Sequence, residues 1–428
     1  MNSQISIQEL TRALHRLPGT EQTTERRRAL QLFADHGFPG QREEDWKYTD
    51  LSSIAKISRT WLSADAEPDG PDLARIHAAM ASIDAAWIVF ANGSLLRDLS
   101  PGLSEPGVSA SDAVELDVVA VPNRRDDPLS ALNRALSRDG LRLQIKGDNA
   151  AARPIGILTL DAAQTAVSSS QVRVDIELAP GSAARFVELH LSTGEHEHYS
   201  NCVVNLVANP ASSCDYVRIQ QRDINHSQTA RLNLRLQQDS HVRHAAFDLG
   251  GKLTRNDLQV DLVGQGASCV LDGLYFGVPG RHIDNHIRVD HCVGPSTSMQ
   301  DYRGILTGKC RGVWNGKAVV HKGADGTDAT QSNHNLLLSE HAEINAKPEL
   351  EIYAEDVKCA HGTTVGQLDE QAIYYLRTRG IDESAARRIL TGAFAAIIVE
   401  KSPIPELLGI LNEKVVAELQ KIAPGVVS

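Results

Sequence analysis

Cys359 and His361 stand two residues apart in the stretch EDVKCAHGTTVGQLDE (355–370). On an extended strand alternate side chains share a face, so a thiol and an imidazole at this spacing point the same way. The imidazole could lower the thiol pKa, giving a thiolate able to carry sulfur or bind iron. Two ligands do not complete a zinc or iron–sulfur site, so any metal role here needs ligands from a second chain. The competing reading is that Cys359 is a small buried hydrophobe, as a lone cysteine in a β-region usually is. From these residues alone both readings stand.

A second constellation lies in RHIDNHIRVDHC (281–292), where His282, Asp284 and His286 alternate with Ile283, Ile287 and Val289. An imidazole–carboxylate–imidazole row on one strand face could hold a divalent metal. The favoured reading is plainer: a polar outer face with an aspartate pairing its neighbours. Glu195-His196-Glu197-His198 reads as a charged loop tip. GILTGKC (304–310) has three residues between its glycines, and a cysteine where a phosphate loop needs a hydroxyl for magnesium. It reads as a turn between strands. GxSxG, HExxH and dinucleotide fingerprints do not occur, so neither nucleotide hydrolysis nor a common hydrolytic reaction is expected of this chain.

The elements that must position these residues change character along the chain. ISIQELTRALHRL and TERRRALQLFADHGFPG read as amphipathic helices, the second closed by Gly37 and Pro39. AAWIVFANGS reads as a short strand. From about 153 to 366, segment after segment alternates apolar and polar residues: VRVDIELA, RFVELHLS, CVVNLVAN, ARLNLRLQ, DLQVDLVG, HIRVDH. The connectors share one plan, a turn and small residues before a new strand. Anchored on Ser182, Ser212, Ser240, Ser268 and Ser298, they recur at steps of 30, 28, 28 and 30 residues. So even a period marks a solenoid, with two strands and two turns to each coil of a β-helix. A β-sandwich would alternate as well but would not repeat so evenly. The expected organisation is a helical and mixed region at 1–145, a parallel β-helix at 146–366 and a helical domain at 367–428.

Within that last domain LDEQAIYYLRTRG starts with acidic residues and stops at Gly380, Asp382 is placed to cap the next helix, and PELLGILNEKVVAELQKIA closes the chain. On IDESAARRILTGAFAAIIVEK, Ala385, Ile389, Ala393 and Ile397 form one stripe beside Ala386, Leu390, Phe394 and Ile398. Part of this band must bury itself in a small bundle. Its width also suits a docking surface for another protein, with Ile389, Leu390, Phe394 and Ile397 as its contacts.

Bulk composition narrows the partners. The 428 residues carry 43 Lys+Arg against 54 Asp+Glu, a formal net charge of -11. That balance argues against a general nucleic-acid or anionic-membrane binder. Six dispersed cysteines without a CxxC pair fit neither a disulfide framework nor a zinc finger, and a cytoplasmic location is expected. With aromatics at 4%, a β-helix that binds or cleaves carbohydrate ranks as the distant alternative.

The block QSNHNLLLSEHAEINAKPELEIYAEDVKCAHGTTVGQLDEQAIYYLRTRG (331–380) closely resembles the SufB/SufD family of iron–sulfur cluster assembly proteins. So do RGVWNGKAVVHKGADGTDATQSN, the HIDNH stretch, GFPGQREEDWKYTDL (37–51) and ARRILTGAF (386–394). KPELEIYAEDVKCAHG is similar to the SufD side of that family rather than the SufB side. The resemblance implies a right-handed parallel β-helix flanked by helical regions. It implies a non-catalytic scaffold subunit in a complex with SufB and two copies of the ATPase SufC. The C-terminal helices would dock SufC, and the end of the β-helix would pair with SufB. Cys359 and His361 then fall at the SufB–SufD interface, with His361 the stronger candidate for cluster formation or iron entry. No cofactor would be held stably by this chain, and an iron–sulfur cluster would pass through the complex transiently. An isolated chain is expected to dimerise through its exposed strand edges.

Overall fold

In the strand Ser168–Leu178, Val172, Val174, Ile176 and Leu178 are buried on one side of the backbone. The strand His198–Ala208 repeats this with Cys202, Val204, Leu206 and Ala208, stacked residue for residue on those four. Period-two alternation sends these side chains inward, and each strand lies in parallel beside its equivalent one coil away. The structure, a computed structural model, describes residues 5–16, 24–63, 69–112, 127–147 and 153–421. Among these, consecutive strands from Gly140–Ile145 onward go alternately to a nine-stranded and a ten-stranded sheet. The result is a parallel β-solenoid of about 7 turns, mainly β with helices at both ends of the chain. Only its first end is antiparallel, where Ala86–Ala91 pairs with Ser94–Leu95 and Val108–Asp112 with Gly140–Ile145. Parallel stacking starts upstream of residue 146, since Ala86–Ala91 pairs with Ile155–Ala162 and Gly140–Ile145 with Ser168–Leu178.

The coil period is less even than the serine anchors suggest. Ser182, Ser212 and Ser240 are equivalent: each hydroxyl donates to the carbonyl three residues back, at 2.7, 2.6 and 2.7 Å. At the next coil the ladder places Ala267 at that position, then Ser296, so Ser268 lies one residue past it and Ser298 two. Paired residues in that sheet are 30, 28, 27, 29 and 31 apart. Turn length varies by single residues while the strand register holds, because a one-residue slip would turn every core side chain outward.

Helices cover both outer faces. Leu10, Leu14, Leu30, Phe33, Ile54, Ile57 and Leu132 form one cluster with Tyr199 and Leu253 of the nine-stranded sheet. Ala395, Ile398, Val399, Leu411 and Val415 form another with Val187, Leu189, Val217, Ile219 and Phe247 of the ten-stranded sheet. The helix ends follow local chemistry. Ser6 and Glu9 form a reciprocal capping box ahead of Ile7–Arg16. Thr24–His36 stops at Gly37, whose φ of 70° is the left-handed conformation glycine adopts without a steric cost. Asp382 accepts from the Ala385 N–H at 3.0 Å and starts Glu383–Val399. The closing helix spans Leu408–Lys421; Ile422 and Ala423, also expected in it, lie outside the described residues.

The row His282, Asp284 and His286 proves to be an anchor. Asp284 is fully buried and accepts from Arg255 Nη1 at 2.6 Å and from the Thr49 hydroxyl. Thr49 Oγ1 also lies 2.8 Å from His282 Nε2, and His286 Nε2 lies 3.1 Å from Asp284 Oδ1. Arg255 stacks 4.1 Å over the Trp46 ring and donates to the Asp45 carbonyl at 2.8 Å. The row therefore fastens the segment around DWKYTD to the outer face of the nine-stranded sheet. The charged partner of the aspartate is a buried guanidinium, and the ring of His282 faces a hydroxyl. Asp284→Ala should lower unfolding free energy by about 3–5 kcal/mol, because Arg255 would be left as an uncompensated buried charge. Chemical denaturation measures this, and the same variant should become trypsin-sensitive at Lys47. A loss below about 1 kcal/mol, the scale of a surface pair, would contradict the anchor.

Candidate functional site

The solenoid ends on the strands Glu343–Ile352 and Val357–Gly366, each paired on one side only among the described residues. Cys359 stacks on Ala329, His361 on Gln331 and Thr363 on Asn333. Ala329, Gln331 and Asn333 are buried and face the solenoid interior. Cys359 and His361 therefore occupy interior positions of the last coil among the described residues. Cys359 is half-buried and His361 exposed. Following the register downward, His361 caps the column Gln331, Gln300, Leu271, His244, Tyr216 and Phe186. Cys359 caps Ala329, Ser298, Cys269, Val242, Cys214 and Ala184.

The shared face expected of Cys359 and His361 is present, but the activation of the thiol is not. No hydrogen bond joins the two among the described residues. Burial, then the charge of Asp328, pushes the Cys359 thiol above the ordinary range for cysteine. It is thus a neutral thiol in this chain. Nowhere among the described residues do three or more His, Cys, Asp or Glu side chains converge as a metal site. The terminal face offers two side chains and an open side.

Beneath this face the interior is polar to a depth that the alternation pattern does not announce. Thr363 Oγ1 lies 3.4 Å from Asn333 Oδ1, Asn335 donates to Asn333 Oδ1 at 2.6 Å, and Tyr275 donates to Asn335 Oδ1 at 2.5 Å. Further down, Arg218 pairs with Asp248 at 3.2 Å, and the Tyr216 hydroxyl donates to Glu188 at 2.8 Å. His190 Nε2 lies 2.7 Å from the other Glu188 oxygen. Arg222 donates to Asp161 at 2.6 Å and to Ser200 at 3.0 Å. Burial alone would raise the Asp161 pKa, yet Arg222 and His198 hold it well below the usual carboxylate range. His198 belongs to this network. It opens the strand His198–Ala208 fully buried, 2.7 Å from the Ser168 hydroxyl and 3.5 Å from Asp161, so it is no part of a loop tip. Sequence reasoning missed the network, although parity could have found it: in RFVELHLS, Glu188 and His190 share the face of Phe186.

The C-terminal helix Glu383–Val399 divides its apolar band. Ala386, Ala395, Ile398 and Val399 are buried. Ile389 and Ile397 are 49% and 40% exposed, and Leu390 and Phe394 are half-buried. The Arg303 guanidinium sits 4.9 Å from the centre of the Phe394 ring. GILTGKC ends the strand Thr297–Leu306 in a turn through Gly308. No described helix is long and apolar enough to cross a membrane.

Comparison with known proteins agrees with this architecture. Residues 158–394 match the family model described as SUF system FeS cluster assembly, SufBD core domain. The chain is 28% identical over 387 residues to the iron–sulfur cluster assembly protein SufD of Escherichia coli, covering 89% of each chain. It is 26% identical over 419 residues to a SufBD family protein of Synechocystis, covering 92% of this chain and 91% of that one. A SufBD family protein of Mycobacterium tuberculosis is 30% identical over 284 residues, 64% of this chain and 70% of its own.

Two outcomes follow from this chemistry. In a Cys292→Ser background, alkylation of Cys359 should accelerate with pH past 9, the ordinary thiol value, and His361→Ala should leave that profile unchanged. A plateau near neutral pH that disappears with His361→Ala would contradict the neutral thiol. The second outcome concerns the interior. Burial, followed by Arg218 for His244 and by His198 and Arg222 for His226, pushes both imidazoles down to about 3. The folded values lie below the unfolded value near 6.5, so the unfolded chain binds the extra protons. Stability should be level above about pH 6.5 and fall toward acid pH, by up to about 1.4 kcal/mol per pH unit for each histidine. Denaturant titrations between about pH 6.5 and 4.5, above the carboxylate range, should show His244→Leu with a slope shallower by about one proton. An unchanged slope would mean His244 titrates normally.

Proposed function

The chain belongs to the SufB/SufD family of SUF-system iron–sulfur cluster assembly proteins, and on that premise we propose that it is a SufD-type scaffold subunit whose open solenoid end is completed by SufB. The observation that carries this reading is the terminal coil. Cys359 and His361 stand on interior positions with no further coil above them among the described residues, beside two strand edges unpaired among those residues. An unpaired edge is a template for another chain's strand, and a second β-solenoid offers a matching one. The same junction would supply the ligands that two side chains lack. Iron and sulfide are substrates here, and the nascent cluster is cargo that leaves the junction.

Roles follow from the side chains. His361, exposed on the terminal strand, offers an imidazole nitrogen to incoming iron. Cys359 is a protonated thiol until a metal or cationic partner favours the thiolate, so its part comes after metal arrival. ATP hydrolysis would come from SufC, docked on Ile389, Leu390, Phe394 and Ile397 of the C-terminal helix. The half-exposed apolar stripe there supports this assignment. Closure of two SufC subunits would strain the junction and open it to iron and sulfur. The subunit itself carries out no catalysis in this reading, holds no resident cofactor and works in the cytoplasm. A carbohydrate-directed role is not favoured, as the family match is to cluster assembly.

Reconstitution of the complex with SufB and SufC under anaerobic conditions tests the proposal, with cluster formation followed by visible absorption. His361→Ala should reduce cluster yield by roughly 10- to 100-fold, the scale seen when metal-site support is removed, and Cys359→Ala by less. Undiminished assembly with His361→Ala would remove this residue from the mechanism.

A further inference from the structure

The segment around DWKYTD and the HIDNH strand do more than hold each other. Between them lies a cleft of about 330 Å³, lined by Arg42, Glu44, Lys47, Tyr48, His286 and Lys347. Its floor is Val313 and Asn315 on the strand Arg311–Val320, both buried. The volume is at the small end of the range for ligand pockets, about 300–1,000 Å³. Its walls are fixed from behind: Trp46 is buried under Arg255, and Thr49 is bonded to Asp284. A cleft with pre-set walls loses little entropy when a ligand enters.

Three cations and one carboxylate line this cleft, in a chain whose formal charge is -11. Among the described residues neither Arg42 nor Lys47 has a carboxylate oxygen within 4.0 Å, although Lys47 feels the charge of Glu44, and Lys47 sits 5.4 Å over the Tyr48 ring. Lys347 is held by Glu349 at 2.8 Å and by the largely exposed Glu44 at 2.7 Å. Glu44 reaches Lys347 across the cleft from the opposite wall, 303 residues away in sequence. An exposed lysine–glutamate pair contributes little, about 0–1 kcal/mol, so a ligand carrying more than one negative charge can replace that carboxylate.

We propose that this cleft binds a small polyanion, a phosphate- or carboxylate-bearing molecule, through Arg42, Lys47 and Lys347, with Glu44 as an intramolecular occupant that the ligand displaces. The site lies on the outer face of the nine-stranded sheet and does not depend on the reading of Cys359 and His361.

Calorimetric titration of the full chain with pyrophosphate, and separately with citrate, tests this. Saturable binding of one equivalent is expected for at least one probe, and which probe binds tells phosphate from polycarboxylate. The double variant Arg42→Ala/Lys47→Ala should bind at least about tenfold more weakly, with its thermal midpoint unchanged because both side chains are exposed. Glu44→Gln should bind about two- to fivefold more tightly, the scale of one exposed ion pair removed. Glu43→Gln makes the same charge change one residue away and should alter binding less than twofold. Absence of saturable binding by both probes, unchanged binding in the double variant, or equal tightening by Glu43→Gln and Glu44→Gln would each overturn the proposal.

Discussion

Each strand of the solenoid is hydrogen-bonded in register to the strand one coil below, and the last two strands have nothing described above them. Most features of the molecule follow from that constraint. In-register parallel stacking carries a residue's inward or outward direction from coil to coil, so interior columns run the length of the sheet. It also leaves backbone donors and acceptors unsatisfied at the far end, where the columns reach Cys359, His361 and Thr363. The near end carries short antiparallel edge strands of the same chain, Ser94–Leu95 and Val108–Asp112, each paired on one side among the described residues. The ends differ in edge length, two and five residues at the near end against ten and ten at the far end, and the proposed partner junction uses the longer edges.

The interior columns give that end its chemistry. A solenoid filled only with aliphatic residues would present an apolar face when cut across. Here Tyr275, Asn333 and Asn335 bring hydrogen-bonding groups up to Thr363, and deeper coils hold Arg218, Glu188, Asp161 and Arg222 in paired networks. The pairing offsets most of the cost of burying such groups, about 1–3 kcal/mol for each unmade hydrogen bond. Arg218 Nε and both ring nitrogens of His244 have no hydrogen-bond partner among the described residues. The helical layers complete the arrangement from outside. The N-terminal segment is clamped by Arg255 and Asp284, and the C-terminal helix buries one edge of its apolar band while leaving Ile389 and Ile397 in solvent.

How much of this could be read beforehand depended on whether a residue's role was local. The alternation in VRVDIELA and CVVNLVAN settled strand and face, because period two is a property of the backbone itself. Asp382 and Gly37 marked helix ends for the same reason. The repeat was visible in spacing, but turn lengths vary by single residues, and anchors chosen by residue type drifted off register at Ser268 and Ser298. His198 was misplaced because EHEH looks like a charged tip until Ser168 and Asp161, some thirty residues away, supply its partners. Asp284 was legible as an aspartate pairing its neighbours, but its partners Arg255 and Thr49 were not. The Cys359–His361 pair was legible as a shared face, while the raised thiol pKa depends on burial first and then on Asp328 of the neighbouring strand. Long-range pairing carries no local signature.

The account turns on the terminal coil being the surface that a SufB chain covers. Hydrogen–deuterium exchange of this chain, alone and mixed with SufB, reads that surface residue by residue. The account predicts new protection concentrated at 343–352 and 357–366, whose outward backbone groups would become paired. Binding that leaves those two strands exchanging as in the isolated chain, with protection appearing elsewhere, would contradict it.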